Sequence, residues 1–301
     1  MPEPRITDLN MLAQTYDVFF VDQFGVLRDD IGPYDGAVAA LSQLASAGKR
    51  IVILSNSGRS GEYNAARLIK LGFAEDSFEF FITSGDVAFD ILSRPGFDVS
   101  RGARCLTISS GGDSNLSDRL GFVATQTASD ADVVIISGSE AERIPLTDYR
   151  EMLRGAAVHG VPCYCTNPDV HKLHNGSIAP GAGSIAKLYE ELGGHVTWLG
   201  KPYPEIYEHA LRMTGVAERS RVVCVGDSVE HDILGAQTAG LDSVLVRTGI
   251  LAKASDDELR NIFTDVGAAP DYVMRSFGIS NSAIRIFVGK RPLARTPPRC
   301  T

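Results

Sequence analysis

Polar side chains that could do chemistry follow four short apolar runs of this 301-residue chain. Asp22 comes directly after VFFV, and Ser55 follows IVIL. Lys201 follows VTWL after one glycine, whereas Asp227 and Asp232 both come shortly after VVCV. In an open α/β sheet, ligands bind outside the carboxyl ends of the strands. We therefore expect these five side chains to share one site.

The residue types of this set suit the transfer of a phosphoryl group. A carboxylate at a strand end can attack phosphorus and form an aspartyl-phosphate intermediate. Because Asp22 and a phosphorylated substrate are both anions, a hard cation must bring them together, and Mg²⁺ prefers carboxylate and phosphate oxygens. Asp22 and Asp227 are the candidate metal ligands. Lys201 would offset the remaining charge, and Ser55 would donate a hydrogen bond to a phosphate oxygen.

Short apolar runs alternate with helical patterns along the chain, which is typical of a parallel α/β sheet. The predicted fold class is therefore α/β, with a Rossmann-like parallel sheet. Strands are expected at 17–22, 51–55, 78–83, 104–108, 121–125, 132–137, 162–166, 196–199, 221–226 and 242–247. Helices are expected at 37–47, 61–71, 84–92, 146–159, 183–192, 204–213 and 232–239.

The middle of the chain differs in composition from the two ends. Residues 94–131 are rich in Gly, Ser and Asp, and a Gly-Gly pair stands at 193–194. We predict a split core domain, residues 1–86 and 195–301, interrupted by a second α/β domain at 87–194. The strand at 196–199 is assigned to the core, because the alternation of strands and helices seen at the start of the chain resumes there. The Pro- and Arg-rich segment 291–301 is expected to be a loose tail.

Composition excludes several classes of protein. Lys and Arg total 29 and Asp and Glu total 37, and this net charge of −8 gives no support to a nucleic-acid partner. The apolar runs are too short to span a membrane, and the start MPEPRITDLN is not a secretory signal, so we expect a cytoplasmic protein. Five cysteines are too few for a disulfide framework. Cys163 and Cys165 are expected to be buried thiols and not a zinc pair.

At the polar residues that follow the strands, the chain resembles the haloacid dehalogenase (HAD) superfamily of hydrolases. More narrowly, it is similar to the NagD / nitrophenyl-phosphatase group, subfamily IIA. The four motifs of the family appear in order as DQFGV, LSNS, GKPYPEIYEHAL and VGDSVEHDILGAQTAGL. The segments TNPD and IAPGAGSIAKLYEELGG resemble the large α/β cap of that group. The resemblance covers residues from about 17 to about 249 and implies a HAD core with an inserted cap domain.

The resemblance also implies a role for each matching residue. Asp22 would be the nucleophile, Asp227 would bind Mg²⁺, and the backbone carbonyl of Phe24 would be a further metal ligand. Lys201 would neutralise charge on Asp22 and the phosphate, and Asp232 would orient Lys201 or a metal-bound water. The substrate would be held by Ser55 and by the candidate binding residues Gly25, Asn56, Ser57, Asn167, Asp169 and His171.

The first motif departs from the pattern of the family. That motif is usually DxDG, with the second Asp as general acid/base, and here Phe24 stands in its place. Three explanations stay open: substrates with good leaving groups, a proton supplied by a cap residue, or slow turnover. Asp169, His171 and His174, which we expect in a loop, are the cap candidates. We expect His231 to face solvent from the first turn of a helix.

Three functions are therefore compatible with the sequence. The first is a Mg²⁺-dependent phosphohydrolase that acts on a small phosphorylated metabolite. The second is a metal-independent hydrolase of carbon–halogen bonds, because the dehalogenase branch carries an aromatic residue at the position of Phe24. The third is a phospho-metabolite-binding protein with weak or lost catalysis. The resemblance further implies pairing of two copies through the cap, and composition predicts neither a nucleic acid nor a membrane as partner.

Overall fold

The computed structural model describes residues 3–94, 96, 99–175 and 177–278. Two parallel sheets organise this part of the chain. The first sheet has seven strands, in the spatial order β1 (Arg5–Ile6), β14 (Tyr272–Met274), β13 (Asp242–Val246), β12 (Val222–Gly226), β2 (Val18–Asp22), β3 (Arg50–Ser55) and β4 (Phe80–Thr83). The predicted tail, 291–301, lies outside the described residues.

The second sheet has five parallel strands, in the order β11 (Val196–Trp198), β8 (Cys163–Cys165), β7 (Val133–Ile136), β5 (Arg104–Ile108) and β6 (Val123–Ala124). An antiparallel hairpin of β9 (His171–His174) and β10 (Ser177–Pro180) stands apart from both sheets. The helices are α1 (Leu9–Thr15), α2 (Ala37–Ser46), α3 (Gly61–Lys70), α4 (Ser84–Leu92), α5 (Asn115–Leu120), α6 (Leu146–Val158), α7 (Ala182–Glu191), α8 (Pro204–Thr214), α9 (Leu234–Thr238) and α10 (Asp256–Val266).

The central strand β2 is buried on both faces, as its unbroken apolar sequence predicts. Phe19 and Val21 point to one face of the sheet and pack in a core cluster with Leu41 of α2. Phe20 points to the opposite face and packs in a second cluster with Ile206 of α8. Helices therefore cover both faces, and the carboxyl ends of the strands are left as the place where polar side chains can meet a ligand.

The structure corrects the prediction for the strand at 196–199. This strand pairs in parallel with β8, where Val196 lies opposite Cys163, and it belongs to the second sheet and not to the first. The reason is local connectivity, because the single helix α7 leads from β8 to the next parallel strand of the same sheet. The division into a split core and an inserted domain stays a prediction, with its second boundary now placed after β11.

Two other sequence expectations differ from the structure. The segment with His171 and His174, expected as a loop, forms the hairpin strand β9. The helix expected at 232–239 begins with a π-helical turn, Val229–Ile233, before α9. Within the described residues, no helix has the length and apolar character that crossing a bilayer would require.

Candidate active site

The polar residues at the strand ends line one cleft of about 420 Å³ between the two sheets. Asp22 is the last residue of β2, Ser55 is the last residue of β3, and Asp227 follows β12. Lys201 arrives from the other side, shortly after β11 of the second sheet. The sequence therefore predicted correctly that these side chains meet, although Lys201 reaches the site from the second sheet.

Lys201 lies between two carboxylates at the floor of the cleft. Its Nζ donates to Asp22 Oδ1 at 2.5 Å and to Asp232 Oδ1 at 2.6 Å. All three side chains are buried, and Lys201 is only 4% exposed. Such pairs must have excellent geometry, because the removal of each charge from water costs several kcal/mol, on the order of the attraction itself. The two short contacts therefore fix the orientation of Asp22.

The pKa values of the cluster show an excess of negative charge. Burial raises the pKa of Asp22 to about 7, although Lys201 opposes this change, and the charge of Asp232 adds to it. Burial, followed by the charges of Asp22 and Asp232, raises the pKa of Asp227 well above its usual range. Burial disfavours the Lys201 ammonium, yet Asp22 and Asp232 outweigh burial and raise the pKa of Lys201. A further cation would relieve the remaining imbalance.

Asp22, Asp227 and Asp232 each offer a carboxylate oxygen, and these three atoms lie within 4.8 Å of one another. Asp232 is already engaged, since Oδ1 accepts from Lys201 and Oδ2 accepts the Ser228 N–H at 3.1 Å. Asp22 and Asp227 therefore remain as the oxygen donors for a metal ion. Hard divalent cations prefer this type of ligand.

Two glycines make room for the Asp227 carboxylate. Gly25 has φ +87°, and a Cβ added there would lie 2.0 Å from Asp227 Oδ2. Gly249 has φ +60°, and its added Cβ would lie 1.8 Å from the same oxygen. The Ile250 N–H also donates to this oxygen at 3.0 Å. The chain thus approaches Asp227 so closely that no side chain fits at either glycine.

The loop after β3 holds Lys201 in place. Asn56 Oδ1 accepts the Lys201 N–H at 2.6 Å, and its Nδ2 donates to the Lys201 carbonyl at 3.0 Å. The same Nδ2 donates to Asp169 Oδ1 at 2.7 Å. Its carboxamide thus positions Lys201 and Asp169, whereas the resemblance implied contact with the phosphoryl group. Ser55 Oγ accepts the Ser57 N–H at 3.3 Å, so both serines remain at the floor of the cleft.

Phe24, which replaces the usual acid, lines the cleft with a half-exposed ring. The guanidinium of Arg28 lies over this ring, with its central carbon 4.6 Å from the ring centroid. An aromatic ring cannot donate a proton to a leaving group. Any acid must therefore come from another part of the cleft.

The second sheet and the hairpin supply part of the wall of the cleft. Asn167, Asp169 and His171 line it, as expected, although His171 is exposed. His174 does not contribute to the lining, and its Nδ1 lies 3.9 Å from Glu142.

Sequence reasoning missed several residues of the cleft and misplaced one. Arg59, Asn64, Arg67 and Lys172 line it and were not predicted, although Arg59 stands only two residues after Ser57. The expectation that His231 faces solvent was wrong. Its side chain is only 15% exposed and lines the cleft, with Nε2 3.6 Å from Asp169 Oδ1. The π turn at Val229–Ile233 sets this orientation, which helical periodicity does not reveal.

Comparison with known proteins identifies this arrangement. The family model described as haloacid dehalogenase-like hydrolase matches residues 19–123, and the HAD-hydrolase-like model matches residues 198–278. The chain belongs to the haloacid dehalogenase superfamily of hydrolases. The matched residues include the ends of β2, β3 and β12, and therefore Asp22, Ser55 and Asp227.

Several relatives of this chain are named as phosphatases. D-glycerol 3-phosphate phosphatase of Mycobacterium tuberculosis is 27% identical, over 80% of this chain and 66% of the relative. The 4-nitrophenylphosphatase of Schizosaccharomyces pombe is 26% identical, over 87% of this chain and 92% of the relative. These similarities agree with the predicted subgroup of the HAD superfamily of hydrolases.

Solved structures show the same fold. A haloacid dehalogenase-like hydrolase from Brucella suis has a TM-score of 0.77 at 28% identity, and the match covers 92% of this chain and 99% of that one. A glycerol phosphate phosphatase from Mycobacterium tuberculosis, in complex with magnesium, has a TM-score of 0.69 at 26% identity. That match covers 91% of this chain and 78% of the other.

Replacement of Gly249 by alanine should weaken metal binding. The new Cβ would displace the Asp227 carboxylate, and disturbance of a ligand's support typically costs about 10- to 100-fold in metal affinity. Gly240→Ala is the matched control, because Gly240 also has positive φ, +67°, but a Cβ there meets nothing within 4 Å. Calorimetric titration with Mg²⁺ measures both variants. Equal affinities in the two variants would contradict the steric role of Gly249.

Lower pH should reduce the stabilisation that Mg²⁺ gives. The raised pKa of Asp22, about 7, means that a cation must displace a proton in mildly acidic solution. In the metal-free protein, protonation of Asp22 increases the free energy of unfolding. This contribution is fully present below the ordinary carboxyl pKa and is lost as the pH rises through about 7. The increase in Tm caused by Mg²⁺ should therefore be larger at about pH 8 than at about pH 6.

The control for this measurement is Asp227→Asn, which removes one ligand and should show almost no increase in Tm at either pH. An increase in wild-type Tm that is the same at both pH values would argue against proton displacement at Asp22.

Proposed function

We propose that this chain is a Mg²⁺-dependent phosphatase that hydrolyses small phosphate monoesters through an aspartyl-phosphate on Asp22. The observation that carries the proposal is the buried contact of Lys201 with Asp22 and Asp232, beside Asp227 at the edge of the first sheet. Phosphoryl transfer requires ligands for a cation, a positive charge and a positioned nucleophile. Asp22 with Asp227, Lys201, and Asp22 itself would fill these roles.

The residues present fit a divalent cation. Three buried carboxylates face a single buried ammonium, so a cation of charge +2 balances the cluster. We propose Asp22 and Asp227 as side-chain ligands and the Phe24 carbonyl as a further ligand. Bound there, the cation would offset the charge of the phosphoryl group beside the Asp22 carboxylate.

The side chains of the site divide the chemical work. Lys201 holds Asp22 Oδ1, which orients the carboxylate for attack on phosphorus. Asp232 holds Lys201 from the other side, so that the ammonium stays in place as charge shifts onto the phosphoryl oxygens. Ser55, Ser57 and the backbone of the loop after β3 would donate to those oxygens. Water then cleaves the aspartyl-phosphate, which regenerates Asp22 and releases phosphate.

The cleft supports a small substrate. Its volume of about 420 Å³ lies in the range typical of metabolite sites. The names of the relatives give D-glycerol 3-phosphate and 4-nitrophenyl phosphate as starting points for a screen. Arg59, Arg67 and Lys172 along the wall supply charged hydrogen-bond donors, although Asp113 pairs with Arg59 and Glu142 pairs with Lys172. We therefore expect a phosphate ester with a compact polar leaving group.

Asp22→Asn should abolish phosphate release, because an amide cannot serve as the nucleophile. We expect a loss of at least about 10³-fold in kcat, because the variant lacks the group that attacks phosphorus. The exposed Asp76→Asn is the control and should retain full activity. Phosphate release from a panel of aryl and alkyl phosphates in Mg²⁺ gives the measurement.

Two outcomes would contradict the proposal. The first is release from no ester in the panel, with Asp22→Asn indistinguishable from wild type. The second is halide release from haloacids that persists in a chelator, which would favour the carbon–halogen alternative instead.

A further inference from the structure

The described active site contains no acid where the first motif of the superfamily usually carries one. Phe24 occupies that position, and its ring packs against Arg28. The oxygen of an alkyl leaving group needs a proton as its bond to phosphorus breaks, whereas a nitrophenolate does not. A phosphatase that acts on alkyl esters must therefore take this proton from a different side chain of the cleft.

His231 is a partly buried histidine that packing alone does not explain. Its ring lines the cleft, and the Nδ1 atom is buried without a hydrogen-bond partner among the described residues. Nε2 lies 3.6 Å from Asp169 Oδ1, which is close enough for an ion pair but too long for a hydrogen bond. Buried polar atoms in proteins are almost always hydrogen-bonded. Nε2 has no hydrogen bond among the described residues and, unlike Nδ1, is not fully buried, so it is the ring nitrogen available to a ligand.

The backbone at His231 is fixed from three sides. Its N–H donates to Ser228 Oγ at 3.2 Å, and its carbonyl accepts from the Tyr207 hydroxyl at 3.3 Å. The next residue, Asp232, is bonded to Lys201. The ring therefore has a set position relative to the nucleophile, whereas His171 and His174 stand on an exposed hairpin strand. A proton donor requires such a fixed position near the reacting atoms.

Asp169 connects His231 to the other catalytic groups. Asp169 Oδ1 faces His231 and also accepts from Asn56 Nδ2, and Asn56 in turn binds the backbone of Lys201. A carboxylate beside an imidazole orients the ring. Asp169 therefore acts as a positioning residue, and Asn56 links it to the ammonium that holds Asp22.

We propose that His231 is the general acid that protonates the leaving group in place of the missing motif residue. As Asp22 attacks phosphorus, the bond from phosphorus to the leaving oxygen breaks and its electron pair stays on that oxygen. The proton of His231 Nε2 moves to this oxygen and releases the alcohol. In the second step a water oxygen attacks phosphorus and its proton returns to Nε2, while the bond from phosphorus to the Asp22 oxygen breaks and its electron pair restores the carboxylate. The sum is an ester and water giving an alcohol and phosphate.

This proposal rests on the proposed phosphatase function, and the test separates the two. The experiment compares kcat/KM of wild type and His231→Asn for 4-nitrophenyl phosphate and for the alkyl phosphate that wild type hydrolyses fastest. We expect the variant to lose about 10²- to 10³-fold on the alkyl ester but less than about 10-fold on the aryl ester. The exposed residue His195, outside the cleft, gives the control His195→Asn, which should match wild type on both.

Two further measurements make the result decisive. An unchanged Tm increase with Mg²⁺ shows that His231→Asn has kept the metal site, and His231→Gln provides a second variant if the first does not fold. Asp169→Asn should show the same selective loss on alkyl esters, but a smaller one, because it only orients the acid.

Several results would overturn the role of His231. One is an equal loss on aryl and alkyl esters, which would indicate a general structural effect. Another is a larger selective loss in Asp169→Asn or His171→Asn, which would assign the acid to that residue. A wild-type enzyme that hydrolyses aryl but no alkyl phosphates would mean that no acid operates. Absence of all phosphate release would instead refute the proposed function itself.

Discussion

The buried contact between Lys201 and the carboxylates of Asp22 and Asp232 is the interaction on which the rest of the site depends. Ion pairs that are removed from water gain little stability unless every partner is satisfied. Here three buried carboxylates meet one buried ammonium, and the third, Asp227, has its pKa raised well above the usual range. The protein therefore holds, at the end of its central strand, a charge imbalance that a divalent cation corrects.

Because of this imbalance, the position of the acidic residues matters more for substrate binding than the net charge of the chain. A net charge of −8 would repel a phosphorylated substrate if it acted uniformly. The acidic residues of the site would instead attract a cation, while Lys201 and Arg67 add positive charge within the same cleft. Close approach of Gly25 and Gly249 to Asp227, and of Asn56 to Lys201, keeps these groups in register.

Much of the first sheet and of the catalytic floor could be predicted from sequence, for physical reasons. Strands that are buried on both faces have continuous apolar sequences, and their carboxyl ends must meet at one edge. Asp22, Ser55 and Asp227 could therefore be placed together from their positions alone, whereas Lys201 follows a strand of the second sheet. Helix α10 was missed, although its capping box, Ser255 with Glu258, is a recognisable signal.

The remaining features depend on contacts that a single sequence does not encode locally. A three-residue strand such as Val196–Trp198 does not specify which sheet it joins, and its partner β8 decides this. The polar sequence HKLH carries no strand pattern until β10 pairs with it. His231 turns toward the cleft because of a π turn and the proximity of Asp169, and neither can be predicted from the 3.6-residue helical period.

The dependence of anion binding on a cation is tested most directly by calorimetric titration of inorganic phosphate into the protein. One sample is saturated with Mg²⁺, and the other contains a chelator. The buried charge imbalance predicts measurable phosphate binding in Mg²⁺ and at least about 10-fold weaker binding in chelator, since a cation next to the anion is worth at least about 1.4 kcal/mol at the low dielectric of the site. Equal phosphate affinity in the two samples would contradict it.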